Sequence, residues 1–347
     1  MKVDFGGGED IRFERRGHAG LVTLTRPASL NAINHTMVHA LHRALLAWEA
    51  DDDVRLVVLR GEGRAFSAGG DILDVYRAGL KGEARPDFFA DEYRLNAAIA
   101  RFPKPYVSLI DGIVMGGGVG ISFHGSHRVM TQNAVFAMPE VGIGFFPDVG
   151  GSFLLSRLPG DFGMYLALTG SRIRHGDALA AGLATHAVEA ECLEELTETL
   201  CGTDDIDRAL ASFGAEAERQ IDDAVLHAIA RHFSFDTLSE VLGSLAADQD
   251  DWAGETRATI AKRSPTSLGV TFRQIRAGAM LTMDECMRME FRILNRMLAG
   301  HDFYEGIRAA LVEKGTTPRW KPDALDDLSA GDIEAYFAPL PGGDLTL

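Results

Sequence analysis

The chain is poor in several features that would point to other chemistry. Its 347 residues hold three cysteines, Cys192, Cys201 and Cys286, and no CxxC pair. An odd, scattered set argues against a disulfide framework or a cysteine-based zinc site, and it fits a reducing compartment. There is no GxSxG elbow, and Ser67 and Ser122 have no evident histidine partner, so a serine triad has little support. GxGxxG and GxxxxGK[ST] are both missing, and with them the dinucleotide and P-loop readings. Positive charge is scarce: 34 Lys and Arg against 50 Asp and Glu, for a net charge of -16. Such a surface repels a polyphosphate backbone, so no nucleic-acid partner is expected. The most apolar long stretch, 105–123, is broken by Asp111 and rich in glycine, so no membrane span is expected. The opening MKVDFGGGEDIRFERR lacks an apolar signal core and is too acidic for a transit peptide, and a cytoplasmic location is expected.

What is present is an ordinary globular composition, 46% hydrophobic and 24% charged. Residues 11–16 and 21–25 read as two strands joined by a turn at 17–20. Asn34 is placed to cap a helix in which Val38, Leu41, Leu45 and Trp48 recur at helical spacing. The apolar run 56–59 reads as a strand buried in a parallel sheet, 88–101 as a helix stopped by Pro103 and Pro105, and 106–110 and 128–131 as further strands. Alternation of strand and helix predicts an α/β layer fold with crossover connections. Past about residue 188 strand signals vanish and charged helical patterns take over, with Met287, Phe291, Leu294 and Leu298 as one apolar stripe. This predicts a core over 1–190 and a helical region over 191–347 that covers it.

The densest information lies in residues 116–151, GGGVGISFHGSHRVMTQNAVFAMPEVGIGFFPDVGG. The triple glycine follows the strand at 106–110, and SAGGD (67–71) follows the strand at 56–59. Both loops lie beyond strand C-terminal ends, where open α/β sheets place ligands. Amides of Gly70 and Gly117 converging on one carbonyl oxygen would form an oxyanion hole; the ordinary alternative is that these glycines only serve turns. Glu140 and Asp148 stand eight residues apart among apolar residues and glycines. Such a setting raises a carboxyl pKa and suits proton transfer near neutral pH. Capping is the alternative for Asp148, which precedes a Val-Gly-Gly helix start. His35, His39 and His42 share one helix face, a geometry that can bind metal. No carboxylate or cysteine joins them locally, so histidines edging a core, and no metal, are expected.

In order along the chain, TRPASLNAIN (25–34), FSAGGDI (66–72), KPYVSLIDGIVMGGG (104–118) and MPEVGIGFFPDVGG (138–151) resemble the crotonase superfamily of enoyl-CoA hydratases and isomerases. More narrowly the chain resembles its 3-hydroxyisobutyryl-CoA hydrolase branch, through PEVGIGFFPDVGGSFLLSRLPG, SPTSL (264–268) and DFYEGIRAALVEKGTTPRWKP (302–322). Gly315 departs from the branch, which often has an acidic residue there. The resemblance implies a ββα spiral core with a helical C-terminal region, an acyl-CoA ligand, and no cofactor beyond the coenzyme A of the substrate. By motif position, Gly70 and Gly117 supply the oxyanion amides. Backbone around Ala68 and Leu30 lines the adenine end of coenzyme A, Asp71 belongs to the same binding set, and Arg26 and Lys104 are candidates for its phosphates. Hydratases of the superfamily carry a second glutamate where this chain has Gly120. Glu140 matches the remaining glutamate, and Asp148 matches the hydrolase aspartate. The implied activity is hydrolysis of a 3-hydroxyacyl-CoA thioester, as in valine catabolism, with Glu140 as base or nucleophile. An enoyl-CoA isomerase or hydratase and a non-catalytic acyl-CoA-binding protein are the alternatives. Oligomeric state stays open, a homo-oligomer included, since the superfamily assembles in several ways.

Overall fold

A computed structural model describes residues 1–84 and 86–347, which divide into two compact units interleaved along the chain. The first comprises Met1–Asp71, Asp91–Phe136 and Ile173–Gln220; the second comprises Ile72–Ala90, Ala137–Arg172 and Ile221–Leu347.

The first unit begins with β1 (Lys2–Val3), β2 (Ile11–Arg16) and β3 (Ala19–Leu24). Strands β2 and β3 form a hairpin whose register pairs Arg16 with Ala19. The turn is therefore tighter than the four residues expected, because Gly17 takes φ +56°, as two-residue hairpins require. Asn34 then caps α1 (His35–Glu49), its Oδ1 accepting from the Met37 amide at 2.9 Å. Three strand pairs follow: β4 (Leu56–Gly61) with β5 (Ala65–Ser67), β6 (Tyr106–Ile110) with β7 (Ile113–Met115), and β8 (His127–Thr131) with β9 (Val135–Ala137). Two further strands are β10 (Ile173–Arg174) and β11 (His186–Val188).

Each pair places its first strand in a seven-stranded sheet of order β1-β2-β3-β4-β6-β8-β11 and its second in a four-stranded sheet of order β10-β9-β7-β5. The chain thus winds as a spiral. From β3 through β11 the large sheet is parallel. That explains why β4 and β6 read as continuous apolar runs: strands covered on both faces have no solvent side. Leu21, Val58, Val107 and Leu109 join one buried cluster, covered by Leu196, Leu200 and Leu210 of two later helices of the same unit.

The second unit holds α2 (Ile72–Leu80) and the short α5 (Gly151–Leu155). Its longest helices, Pro265–Gly278 and Met283–Met297, both start with side-chain caps, Ser264 and Thr282. The helix α3 (Pro86–Arg101) begins in a segment of the second unit and continues from Asp91 in the first, which also holds α4 (Gly117–Gly120). Among the described residues no strand follows Val188, as the change in sequence character predicts.

Leu21 is fully buried in β3, opposite Val58. Leu21→Ala is expected to cost about 2–5 kcal/mol, read as a lower urea midpoint. A loss below about 1 kcal/mol would mean that this layer is not close-packed.

Candidate active site

In the first unit, the SAGGD loop is stitched to residues 30–33 on both sides of Gly70. The Ala68 amide donates to Leu30 O at 2.9 Å, Ile33 to Gly69 O at 2.8 Å, and Asp71 to Ile33 O at 2.8 Å. Leu30 and Asn31 both take positive φ, and the buried Asn31 side chain holds the turn by donating to Glu62 O and Ala65 O. The Gly70 N–H is skipped by this stitching. After β7, Gly116 turns the chain with φ 46°, and Gly117 opens α4. Among the described residues, neither the Gly70 nor the Gly117 amide donates to another group of the chain. The two lie side by side: a Cβ built on Gly117 would stand 3.1 Å from the Gly70 nitrogen and 2.7 Å from Glu92 Oε1. Two adjacent, unclaimed amides at the end of parallel strands are the arrangement that stabilising an anion requires.

The structure also shows what the other expected binding residues do. Ala68 and Leu30 are brought together by their hydrogen bond. Arg26 donates to Ala32 O at 2.5 Å and to Asp71 Oδ2 at 3.1 Å, so both are tied into the loop. Lys104 Nζ donates to Trp48 O at 2.6 Å and Asp51 O at 2.8 Å, capping the C-terminal end of α1.

In the second unit, Glu140 opens a one-turn helix after Pro139 and Asp148 lies on the loop before α5. Both are buried, at 6% and 4% exposure. Among the described residues Glu140 Oε2 has no hydrogen-bond partner, so one oxygen of a buried carboxyl is left for something outside the chain. Burial pushes the Glu140 carboxyl well above its ordinary range; the charges of Asp148 and Glu290 push the same way, against a hydrogen bond from its own backbone. Burial dominates, and the group is a much stronger base than a surface carboxylate.

Two site carboxylates escape the motif reading. Glu290, fully buried on helix Met283–Met297, accepts from the amides of Gly150 and Ser152, each at 2.9 Å. These are the amides of the N-cap residue Gly150 and of Ser152 in the first turn of α5, so the capping that stood as the alternative role for Asp148 is supplied by Glu290. Its signal was a charged residue inside an apolar stripe, three positions after Met287 and four before Leu294. Burial pushes Glu290 up to about 8, against the two amides that favour its anion and with the Asp148 charge adding to the rise. The loop it holds is strained. Val149 takes φ 50°, a costly conformation for a β-branched residue, and Gln274 Nε2 donates to Pro147 O on the other side of Asp148. Glu92, 2% exposed on α3, stands beside Gly117; only its shared helical face with Phe88, Phe89 and Asn96 hinted at burial.

A spiral of paired strands ending in an unclaimed amide pair is the crotonase architecture. The family model for enoyl-CoA hydratase/isomerase matches residues 19–337. The chain is 43% identical to the mitochondrial 3-hydroxyisobutyryl-CoA hydrolase of Rattus norvegicus, over 97% of the chain and 90% of that protein. It is 42% identical to the Gallus gallus protein of the same name, over 97% and 91%. Among solved structures, a carnitinyl-CoA dehydratase from Mycobacterium thermoresistibile is similar with TM-score 0.92 and 43% identity, over 98% of this chain and 99% of that one. The chain belongs to the enoyl-CoA hydratase/isomerase family. These curated relatives are mitochondrial proteins, which overturns the cytoplasmic location expected from the acidic N-terminal residues. Among the described residues no helix is long and apolar enough to cross a membrane.

Gly117→Ala keeps its N–H but puts a methyl 3.1 Å from the Gly70 nitrogen, in the space between the two amides. It should lower the turnover of any carbonyl-activating reaction about 10²–10³-fold, as much as loss of one oxyanion donor costs, while the protein stays folded; near-normal turnover would dissociate the amide pair from catalysis. For Glu290, the folded carboxyl at about 8 keeps its proton while the unfolded chain, near 4.5, has released it. Its contribution to stability is therefore full below pH 4.5 and lost as pH rises toward 8, at up to ~1.4 kcal/mol per unit. Glu290→Gln forfeits an acceptor for one amide and should be less stable than wild type at pH 5. The gap in Tm should narrow by pH 8; a constant gap would show that the carboxyl is not held up.

Proposed function

We propose that this chain hydrolyses a 3-hydroxyacyl-CoA thioester, 3-hydroxyisobutyryl-CoA first among them, to the free hydroxy acid and coenzyme A, as on the route of valine breakdown. The observation that carries it is the buried Glu140 with an unpartnered Oε2. The names and high coverage of the vertebrate relatives support it. In this reading the Gly70 and Gly117 amides take the thioester carbonyl oxygen and stabilise the tetrahedral oxyanion. Glu140, once ionised, either takes a proton from water as it attacks or attacks the carbonyl carbon itself. The C–S bond breaks, a C–O bond forms, and the proton that water gives up ends on the coenzyme A sulfur. Asp148 orients the substrate hydroxyl or the water. Ala68, Leu30 and Asp71 belong to the coenzyme A side of the site.

Gly120 stands where the hydratases have their second glutamate, and this argues against water addition. One observation favours a second reading, a hydratase or dehydratase. Glu92 supplies another buried carboxylate beside Gly117; the similar Mycobacterium thermoresistibile structure is a carnitinyl-CoA dehydratase, and a further similar structure, at 36% identity and TM-score 0.89, is an enoyl-CoA hydratase from Rhodobacter sphaeroides.

A thiol reagent that reads coenzyme A release from 3-hydroxyisobutyryl-CoA decides between them. Release is expected to fall at least about 10²-fold in Glu140→Gln, in line with the contribution of a positioned acid–base group. The acidic limb of kcat/KM should lie above the ordinary carboxylate range and move to lower pH in Asp148→Asn, which removes a neighbouring negative charge. Enoyl absorbance without thiol release would replace the hydrolase reading with the hydratase one.

A further inference from the structure

Residues that this reaction does not use form a second polar cluster in the first unit. His35 and His39 lie one turn apart on α1, with ring centroids 4.2 Å apart. Asp91, on α3 and 52 residues beyond His39, reaches both: its Oδ2 lies 2.8 Å from His35 Nε2 and 2.7 Å from His39 Nε2. The expectation of no metal rested on the lack of a carboxylate near these histidines in the sequence, and the fold supplies one.

We propose that His35, His39 and Asp91 bind a divalent cation of the zinc class. The three ligand atoms already lie within 4.8 Å of one another. Two imidazole nitrogens and one carboxylate oxygen suit zinc, whereas hard cations such as magnesium prefer all-oxygen sets. Tetrahedral zinc, with bonds near 2.0–2.2 Å, sets its ligand atoms about 3.3–3.5 Å apart. Entry of the ion therefore needs the two short N···O contacts to open by roughly half an ångström. Side chains exposed by 29%, 45% and 28% can give that much, and the solvent side leaves a fourth position for water. Arg94 Nη1 donates to Asp91 Oδ1 at 2.8 Å, which fixes the carboxylate with Oδ2 toward the histidines, an outer contact of the kind that orients metal ligands. The acidic surface, at net charge -16, favours cation capture. The alternative is a plain hydrogen-bonded staple between α1 and α3, complete without any ion. A bound cation would pin α3 one residue before Glu92, the carboxylate that stands beside Gly117.

The test uses the full chain stripped with a chelator, titrated calorimetrically with zinc chloride, and scanned for Tm with and without the ion. One saturable zinc site is expected, with no heat from magnesium chloride and a Tm raised by zinc. His39→Gln and Asp91→Asn, checked for folding by circular dichroism, should each weaken this binding at least tenfold and lose the Tm shift. Cobalt chloride should give d–d absorption bands in the wild type that both variants lack. No saturable zinc binding, or equal affinity in the two folded variants, would overturn the site and leave the staple; because several other histidines are present, the variants and not the wild-type titration alone are decisive.

Discussion

A Cβ on Gly117 would stand 3.1 Å from the Gly70 nitrogen, closer than ordinary packing allows, so the two amides meet only because no side chain intervenes. Parallel strands set up this approach. β5 and β7 are neighbours in the small sheet, and their C-terminal ends deliver Gly70 and Gly117 to the same place. The same kind of contact recurs in the second unit, where Cβ atoms on Gly144 and Gly306 would fall 2.0 Å from the Asp302 carbonyl and 2.2 Å from that of Ile143. Backbone meeting backbone holds the segment that carries Glu140 against the helix that follows residue 301.

The second unit adds an electrostatic constraint. Glu140, Asp148 and Glu290 are all buried, and like charges in a poorly solvated interior do not all ionise together. Glu290 offers acceptors to two helix-start amides, which is how a carboxylate usually lowers its pKa, yet burial outweighs them. The arrangement keeps protons on carboxyl groups at a pH where surface carboxylates have lost theirs. It also holds a loop with a left-handed valine in place, and the position of Asp148 depends on that loop. The surroundings thus set both the base strength of Glu140 and the placement of its neighbour.

Much of this was legible beforehand because it is local. Asn34 as a cap and the apolar runs of β4 and β6 depend on residues within a few positions of one another. The glycine loops were seen, but they follow the short strands β5 and β7 and not, as expected, β4 and β6 directly. Glu140 and Asp148 were visible as charges in apolar company. Glu92 and Glu290 were not read as site residues, because a single carboxylate on a helix looks like a solvated one until the opposite surface is known. The alternative of Asp148 as a helix cap falls for the same reason: the amides at the start of α5 are taken by a side chain about 140 residues away.

The sequence by itself determined the strands of the large sheet from β2 to β8, the helical character past residue 188 and the two carboxylates in apolar company, since each rests on short-range pattern and spacing. The family came from the resemblance of whole motifs, and the strands of the small sheet, β5, β7, β9 and β10, were not read. Tertiary structure alone decided which amides lie side by side, which carboxyls are desolvated enough to hold protons, and which carboxylate completes the histidine face of α1. Those properties depend on what a residue is packed against, and the partners of Gly117, Glu290 and His39 come from distant parts of the chain.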